Sequence, residues 1–412
     1  MVYHRFRWVY CQLDSLSRCI PASIGRALKD LPATLDDTYK RTLERIPQES
    51  SEFTHRLFQC LIAAIRPLRV EEVAEILAIQ FDEDVTPILK ECWRPDDPED
   101  AVLSVCSSLV TIVDDRGRRV VQFSHFSVKE YFVSSRFTPS GSGSISLYHI
   151  ALEPAHTIVA QACLAMLRRL DSKVDKEPLG KYPLAFYASQ YFVHHARFGN
   201  VAQIEESMKS LFDPKKPHLA AWTWIHDVDS GRIRTIDQLA DRPPPPRATA
   251  LYYAALCGFS WLVFHLLMTH QEDVNTVSGY LTTALHAAYR AGSFDCMRLL
   301  LHYGADPDMQ NVEGEAVCHL ASEHGQTEVV KLLLQYGADV NAKTENGDGY
   351  TPLILASMYG HIELVRLLLL DCWVVDEDNT AFRYAQMEGH KEIADLLFIC
   401  HVQRNQKDLG KV

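Results

Sequence analysis

The sequence predicts a mainly α-helical protein with a helical and winged-helix block, a second helical block and a C-terminal solenoid of helical repeats. A length of 412 residues, 47% of them hydrophobic, gives room for two or three domains with large cores. Five similar segments recur in the C-terminal part, and in the N-terminal third helical stripes precede two strand-like runs. We expect the blocks at residues 1–138, 145–242 and 247–400, with Ser140–Ser144 as a flexible break.

The C-terminal segments share one frame. They read TALYYAALCG, TALHAAYRAG, AVCHLASEHG, TPLILASMYG and TAFRYAQMEG, and they begin at Thr249, Thr283, Ala316, Thr351 and Thr380. Successive starts are 34, 33, 35 and 29 residues apart, so three intervals lie close to a 33-residue period. A threonine that caps a short helix and a glycine that ends it in a left-handed conformation are typical of a helix–turn–helix unit. A leucine-rich second helix follows, so each unit buries its apolar face only against a neighbour.

This pattern strongly resembles ankyrin repeats. The runs MRLLLHYGADPD from Met297 and VVKLLLQYGADVN from Val329 carry the resemblance in the second helix and the turn after it. In the last interval Cys372–Val375 replaces the Gly-Ala-Asp turn, so we expect an atypical terminal repeat, with Trp373 as a candidate cover for its end. The resemblance implies about five repeats, the last a cap, that bind a partner through hairpin tips and concave inner helices.

The candidate partner-binding residues lie just before the helix-ending glycines and at the hairpin tips. They are Arg290, Val312, Glu313, Glu315, Glu323, His324, Asp348, Tyr350, Met358 and Tyr359. We expect their side chains to have no packing role, whereas the leucines around them do. Tyrosine and methionine offer apolar anchors, and the acids offer charge complementarity. The alternative is a merely solvated surface, with the partner docking elsewhere, for example on the helical half.

Charge is unevenly distributed along the chain. Residues 247–412 hold 11 Lys and Arg against 21 Asp and Glu, which is a net charge of −10 out of −12 for the whole chain. Such a surface repels phosphate backbones, so we expect no nucleic acid there and favour a basic protein surface as the partner. The alternative is that the acidity only keeps the solenoid soluble.

The N-terminal part predicts helices followed by a two-stranded hairpin. The strands are expected at Leu109–Val113 and Arg119–Phe123, joined by Asp114–Gly117. Ser127 and Glu130 form a predicted capping box that opens one more helix. This order indicates a winged helix. A second helical block follows, with a predicted apolar stripe at His149, Ala155, Val159, Ala162 and Leu167.

Several strings resemble the segment that follows the nucleotide-binding core in fungal NACHT proteins, relatives of NOD-like receptors. They include FRWVYCQLDSL from Phe6, LPATLDDTYKRTLERIP from Leu31, IRPLRVEEVAEILA from Ile65 and VVQFSHFSVKEYF from Val120. The resemblance covers roughly residues 5–225, and it implies that His125 senses the phosphates of a bound nucleotide. For a chain without its nucleotide-binding partner, we favour a His125 that only orders the hairpin through local hydrogen bonds.

No motif for catalysis, cofactor binding or metal binding occurs in the sequence. The pairs Gly180-Lys181 and Gly410-Lys411 lack the first glycine and the following Ser or Thr of a P-loop. His194 and His195 have no third ligand at a useful spacing, so we expect a structural role and no metal. The eleven cysteines form no CxxC pair, and we find neither a signal peptide nor a membrane-spanning run. These features predict reduced thiols in a cytoplasmic protein.

We therefore predict a protein-binding module or scaffold that is not an enzyme and needs no cofactor. Through the resemblance, it is the sensor or regulatory half of a NACHT-like signalling protein. The missing P-loop core indicates either a truncated gene model or a degenerate paralogue. The rival hypothesis is a regulatory STAND-type ATPase subunit, in which a P-loop core encoded upstream or supplied in trans completes a nucleotide site with His125.

Overall fold

The structure is a computed structural model that describes residues 31–32, 34–81, 86–106, 108–134, 148–170, 179–371 and 379–409. The predictions for residues 1–30, for the Ser140–Ser144 break and for Cys372–Val375 lie outside the described residues. The fold is mainly α-helical, as predicted. Contacts divide the chain into two compact units. The first unit comprises the chain up to Leu211 with Lys216–Asp227 and Gly231–Pro244, and the second comprises Phe212–Lys215, Val228–Ser230 and the chain from Pro245 onward.

The first unit contains nine described α-helices and short strands. The helices are α1 (Leu35–Glu44), α2 (Gln48–Ala63), α3 (Val70–Leu77), α4 (Pro98–Cys106), α5 (Phe126–Val133), α6 (Leu152–Arg169), α7 (Leu184–Phe198), α8 (Val201–Leu211) and α9 (His218–Ile225). The strands are β1 (Leu68–Arg69), β2 (Ile79–Gln80), β3 (Ile88–Leu89), β4 (Val110–Asp115), β5 (Arg118–Phe123), β6 (His226–Asp227) and β7 (Arg232–Ile233). Antiparallel pairing gives a three-stranded sheet in the order β1-β5-β4 and the two-stranded pairs β2-β3 and β6-β7.

The β4-β5 hairpin lies where the sequence predicts it, but its turn is tighter. Asp115 pairs with Arg118, so only Arg116 and Gly117 form the turn, at φ +55° and +80°. Positive φ at both positions marks a type I′ turn, whose twist matches that of paired strands. The Asp114 carboxylate accepts the Gly117 N–H at 2.8 Å. The predicted four-residue connection was therefore too long.

Helix α5 does not begin with the predicted capping box of Ser127 and Glu130. The N-cap is His125, whose side chain accepts the Ser127 N–H. Ser127 lies inside the first turn, and its buried hydroxyl is 2.8 Å from the Tyr39 hydroxyl and 2.6 Å from His125 Nδ1. The capping-box prediction was wrong because an imidazole nitrogen caps the helix, while the serine links α5 to α1.

The core of the winged-helix block is aromatic. Phe58 of α2 is fully buried and stacks on Phe132 of α5, with ring centroids 4.6 Å apart. Phe123 of β5 lies 5.8 Å from each of these rings. A single cluster thus joins α2, α5 and β5, and offset or tilted aromatic pairs of this kind stabilise beyond the area that they bury.

Two buried glutamates of α3 accept hydrogen bonds, Glu72 from residues just before the helix and Glu75 from residues distant in the sequence. Glu72 accepts hydrogen bonds from the guanidinium of Arg66 at 2.8 and 2.7 Å and from the Arg69 N–H at 2.8 Å. Glu75 pairs with Arg94 and accepts the Leu184 N–H at the start of α7 at 2.8 Å. Buried carboxylates are tolerated only when they are paired in this way.

Helices α6, α7 and α8 form the second part of this unit. The predicted stripe on α6 is correct for Ala155, Val159, Ala162 and Leu167, which are all buried. It is wrong for His149, which is exposed and precedes the helix, because α6 begins only at Leu152. Trp222 of α9 is fully buried, and its indole N–H donates to the Ser189 carbonyl of α7 at 2.9 Å.

The second unit is a series of helix pairs. The first helices of the pairs are α10 (Ala250–Leu256), α12 (Ala284–Arg290), α14 (Val317–Glu323), α16 (Pro352–Met358) and α18 (Thr380–Met387). The second helices are α11 (Ser260–His270), α13 (Phe294–His302), α15 (Thr327–Gln335), α17 (Ile362–Arg366) and α19 (Lys391–Leu409), and α17 continues as a π turn over Leu367–Asp371. Neighbouring first helices pack against one another along the series.

The repeat frame appears in the caps. Thr249, Thr283 and Thr351 each accept the N–H three residues further on, and Pro352 occupies the first turn. The helix-ending glycines adopt the predicted left-handed conformation, with φ of +65° at Gly292, +66° at Gly325, +82° at Gly360 and +79° at Gly389. The fifth segment departs from the frame: its N-cap is Asn379, at φ +52°, and Thr380 is already helical. The cap expected at Thr380 is therefore wrong by one residue.

Candidate functional site

In the first three repeats, the residue three positions after the cap of the first helix fixes the hairpin that leads to the next repeat. His286 Nδ1 lies 2.8 Å from the Thr283 hydroxyl, and its Nε2 lies 3.2 Å from the carbonyl oxygen of Glu315 in the next hairpin. His319 makes the same kind of contact to the Ala342 carbonyl, at 2.9 Å. Burial lowers the pKa of both histidines, so they remain neutral and serve as hydrogen-bonding spacers.

The first repeat has Tyr252 at this position, and the tyrosine performs the same task. Its hydroxyl accepts the Leu281 N–H of the next hairpin at 3.3 Å and donates to the Asp229 carboxylate. Its ring lies against Gly279, where an added Cβ would come within 2.5 Å of the ring. The hairpins before the second, third and fourth repeats are thus attached to the first helix of the preceding repeat, which holds them at a fixed spacing.

A second set of contacts joins the end of a first helix to the histidine that follows the helix-ending glycine of the next repeat. His361 Nε2 is 2.7 Å from the Glu323 carbonyl, and His390 Nε2 is 3.0 Å from the Met358 carbonyl. The glycine of the earlier repeat leaves room for each imidazole, because a Cβ on Gly325 would meet the His361 ring at 2.4 Å. These contacts occupy the backbone carbonyls of Glu323 and Met358, whose side chains are half-buried.

The first helices and the hairpins enclose a cavity of about 380 Å³ between the second and third repeats. Its wall includes four of the predicted partner-binding residues, namely Arg290, Val312, Glu313 and His324. Val312 is 73% exposed, and the other three are also exposed. The sequence frame therefore brings helix-end and hairpin-tip residues into one concave site.

Three more predicted residues form a neighbouring cluster outside this cavity wall. The Tyr359 side chain is 49% exposed, and its interaction with the nearby Glu323 carboxylate raises the pKa of the tyrosine. Met358 is half-buried. This pair gives the groove an acidic and aromatic surface one repeat further along.

Tyr350 has a structural side-chain contact, so the expectation that none of the predicted side chains has a packing role was wrong for this residue; Glu315 and Asp348 contribute to their hairpins through the backbone. The Tyr350 hydroxyl lies 3.0 Å from the Tyr384 hydroxyl, and the backbone N–H of Tyr350 donates to the Thr344 hydroxyl. The backbone of Glu315 accepts the Asn311 N–H at 2.8 Å and closes its hairpin. Asp348 is exposed and donates only its backbone N–H, to the Asn346 side chain.

Sequence reasoning missed two tyrosines of the cavity wall. Tyr280, which is 63% exposed, lies three residues before the cap at Thr283, in the same register as Glu313 and Asp348 before their caps. That register would have identified it. Tyr289 precedes Arg290 and is half-buried, and its hydroxyl donates to the Leu320 carbonyl at 2.9 Å. Only the three-dimensional structure shows that the second tyrosine faces the cavity.

The electrostatics of the groove are dominated by acids. Burial, followed by the charges of Glu323 and Glu313, raises the pKa of the Glu315 carboxyl. Burial and the Glu323 charge raise the pKa of Tyr289 to about 12. A carboxylate whose charge raises the pKa of a neighbouring acid is close enough to repel the anion of that acid, so a positive group in the groove would relieve an unfavourable interaction.

His125, the candidate nucleotide sensor, is half-buried at the N-cap of α5. Its Nδ1 is engaged with the N–H and the hydroxyl of Ser127, and its ring lies 4.2 Å from the ring of Phe126. These are local contacts of the hairpin and helix. A role in sensing phosphate remains a prediction.

His195 belongs to a buried hydrogen-bonded chain. Its Nε2 is 2.9 Å from the Tyr187 hydroxyl, and its Nδ1 is 2.9 Å from Nδ1 of His156. Burial lowers the pKa of His195 to about 3. His156 is a neighbour that the sequence spacing did not reveal. Within the described ranges, no group of three or more His, Cys, Asp or Glu side chains could hold a metal ion.

Comparison with known proteins gives three findings. Residues 225–311, 251–344 and 318–408 match the family described as ankyrin repeats (3 copies). Residues 29–140 match the family described as GPI inositol-deacylase, winged helix domain. Azaphilone pigments biosynthesis cluster protein L from Monascus ruber is 30% identical over 296 residues, which is 68% of this chain and 61% of that protein. The chain thus spans less than two thirds of the length of this relative.

These findings support an ankyrin-repeat protein of the NACHT-like kind. The winged-helix match covers the aromatic cluster and the β4-β5 hairpin, and the ankyrin matches cover the groove. Ankyrin repeats indicate protein partners. None of the described helices is long and apolar enough to cross a membrane.

Proposed function

We propose that this protein is the sensor or regulatory half of a NACHT-like signalling protein and binds a protein partner through its ankyrin groove. It acts by binding and not by catalysis, in the cytoplasm, and with residues 1–138, 145–242 and 247–400 as its functional divisions. One observation carries the proposal: the cavity between the second and third repeats gathers Arg290, Val312, Glu313 and His324 with two tyrosines. A concave site with aromatic anchors and a charged rim is the usual form of a protein-recognition hot spot.

The second part of the argument is rigidity. Tyr252, His286 and His319 hold consecutive hairpins at a fixed spacing, so the groove is formed before a partner arrives. Binding to a preformed surface avoids the entropy cost of ordering loops. The acidic surface continues along the groove at Glu323 and Tyr359, which favours a basic partner surface.

The test is a pull-down with a double variant of the groove. Tyr359→Ala with Glu323→Lys should abolish capture of a protein partner from a native lysate while changing the melting temperature little. The matched control is Tyr336→Ala with Glu328→Lys, which removes one exposed tyrosine and reverses one exposed charge at α15. Equal recovery of the same partners by wild type and by the groove variant would place the binding site elsewhere.

A further inference from the structure

The cavity between the second and third repeats is apolar inside and charged at its rim. Tyr280 and Val312 stand at its mouth, 63% and 73% exposed, and the half-buried Leu281 and Leu320 lie deeper. Large apolar side chains that are this exposed, and that converge on one concavity, are a feature of interaction sites. An inference about its occupant rests on the proposed function, because it names the chemistry of the partner at the same groove.

One wall of the cavity is rigid. The Tyr289 hydroxyl donates to the Leu320 carbonyl at 2.9 Å and lies 3.3 Å from His324 Nδ1. His324 Nδ1 is itself 2.8 Å from the same carbonyl. The ring of Tyr289 is therefore held in place from its far end, and its face needs no further ordering when a ligand arrives.

The charges at the rim are opposed but unequal. Glu313 is exposed at the hairpin tip, with Glu315 beside it and Glu323 beyond. On the helix side, Arg290 is the only lysine or arginine among the described lining residues. Glu313 is the one carboxylate among those lining residues, and its charge and that of Glu323 contribute to the raised pKa of the nearby Glu315 carboxyl. With these two neighbours, the carboxylates near the rim outnumber the cation. Cations gain from such a field, and aromatic faces attract them as well.

We propose that this cavity takes an arginine or lysine side chain from an extended segment of the partner protein. The aliphatic stem packs against Tyr280 and Val312, and the cationic head reaches Glu313 across the face of Tyr289. Long basic side chains bury their stems on apolar surface while the charge stays at a polar rim. Arg290 sets the orientation, because it repels the cation towards the hairpin side of the cavity.

The rival occupant is an acidic segment that binds Arg290, and the two occupants predict opposite responses to two substitutions. The probe is an immobilised library of nine-residue peptides with arginine, lysine, glutamate or leucine fixed at the centre, presented to the full chain. We expect peptides with central arginine or lysine to be retained. For the tightest of these, fluorescence anisotropy should show weakening by about two- to fivefold in Glu313→Gln, the size expected for the loss of one exposed charge contact. Arg290→Gln should bind equally well or more tightly.

The control is Glu328→Gln, which removes an exposed glutamate of α15 outside the cavity and should leave the affinity unchanged. Weakening by Arg290→Gln but not by Glu313→Gln would overturn the proposal, as would retention of glutamate-centred peptides, equal retention of all centres, or no retention. The pull-down tests the proposed function, and the peptide library tests the nature of the occupant, so the two can fail independently. If the pull-down depends on Tyr359 and Glu323 while the library shows no basic preference, the groove binds a partner of other chemistry.

Discussion

The hydrogen bonds within the two units of this protein span very different distances in the sequence. In the first unit, the Ile65 N–H donates to the Tyr187 hydroxyl 122 residues away, and Glu75 accepts the N–H of Leu184 109 residues away. In the second unit, the hydrogen bonds that join repeats link residues such as His286 and Glu315, 29 apart, or His361 and Glu323, 38 apart. The contacts of the first unit therefore close long stretches of chain, whereas in the second unit these hydrogen bonds join each repeat to the next one.

This difference has consequences for stability and function. In a repeat stack, stability is close to a sum of terms for each repeat and its neighbours, so damage stays local. In the first unit, contacts between residues far apart in the sequence join α2 to α5 and the end of α2 to α7, so we expect damage there to spread. The repeat unit can therefore tolerate change at its groove, where binding is proposed, without loss of its core.

The largest expected effect is in the first unit. Phe58→Ala removes a fully buried ring that stacks on Phe132, and it should reduce the free energy of unfolding by ~3–5 kcal/mol. Hydrogen exchange should show lost protection throughout α2, α5 and the β4-β5 hairpin. Loss confined to α2 would mean that this unit is not cooperative.

A comparable core substitution in the repeats should act locally. Leu333 is fully buried in α15, so Leu333→Ala should cost ~2–5 kcal/mol, with protection lost in the third repeat and its neighbours. A melting curve unchanged by this substitution would mean that the repeat register is wrong.

A comparison of two glycines distinguishes the cost of backbone strain from the cost of lost packing. Gly292 and Gly325 have nearly the same φ, +65° and +66°, but only Gly325 faces a neighbour, because an added Cβ would lie 2.4 Å from His361 Nδ1. Gly292→Ala should cost about 1–2 kcal/mol from the left-handed conformation alone. Gly325→Ala should cost more, since the imidazole must move and lose its contact with the Glu323 carbonyl. Equal losses in chemical denaturation would show that this contact contributes nothing.

These cases show why the repeats were predictable and the rest was less so. Threonine caps, left-handed glycines and leucine runs recur at a fixed period, so Thr283, Gly292 and Leu300 each have a clear counterpart in other repeats. The cap at His125 and the contact between His156 and His195 depend on which distant elements meet, and no local pattern encodes that. The same limit explains the cavity: Arg290 and Glu313 follow from the frame, but the orientation of Tyr289 does not.

Acid should destabilise the first unit through its buried histidines. The pKa of His195 is about 3 when folded, against about 6.5 when exposed, so the unfolded chain binds the proton first. Stability from this group is complete above about pH 6.5 and falls as the pH drops towards 3. The pKa of His55, about 4, acts in the same direction.

The variant His195→Gln keeps a neutral hydrogen-bonding side chain and removes this titration. Its melting temperature should fall less steeply than that of the wild type between about pH 6 and pH 4. An identical slope in the two proteins would show that His195 is not kept neutral by folding.

The smallest expected effect is the response of the purified chain to added ADP or ATP. The sequence has no phosphate-cradling loop, so the purified chain should neither bind ADP or ATP tightly nor release phosphate from ATP. Calorimetry and a phosphate-release assay check this. Saturable micromolar binding that disappears in His125→Ala would favour the regulatory ATPase hypothesis.

The location of the partner on the repeat unit is the central claim, and site-directed photo-cross-linking tests it most directly. A photoreactive phenylalanine analogue replaces either Val312 at the cavity mouth or Lys331 on the exposed side of α15. In a native lysate, we predict a cross-linked protein partner from position 312 that is lost in Tyr359→Ala with Glu323→Lys, and none from position 331. Cross-linking of the same partner from position 331 and not from position 312 would contradict the assignment of the groove as the binding site.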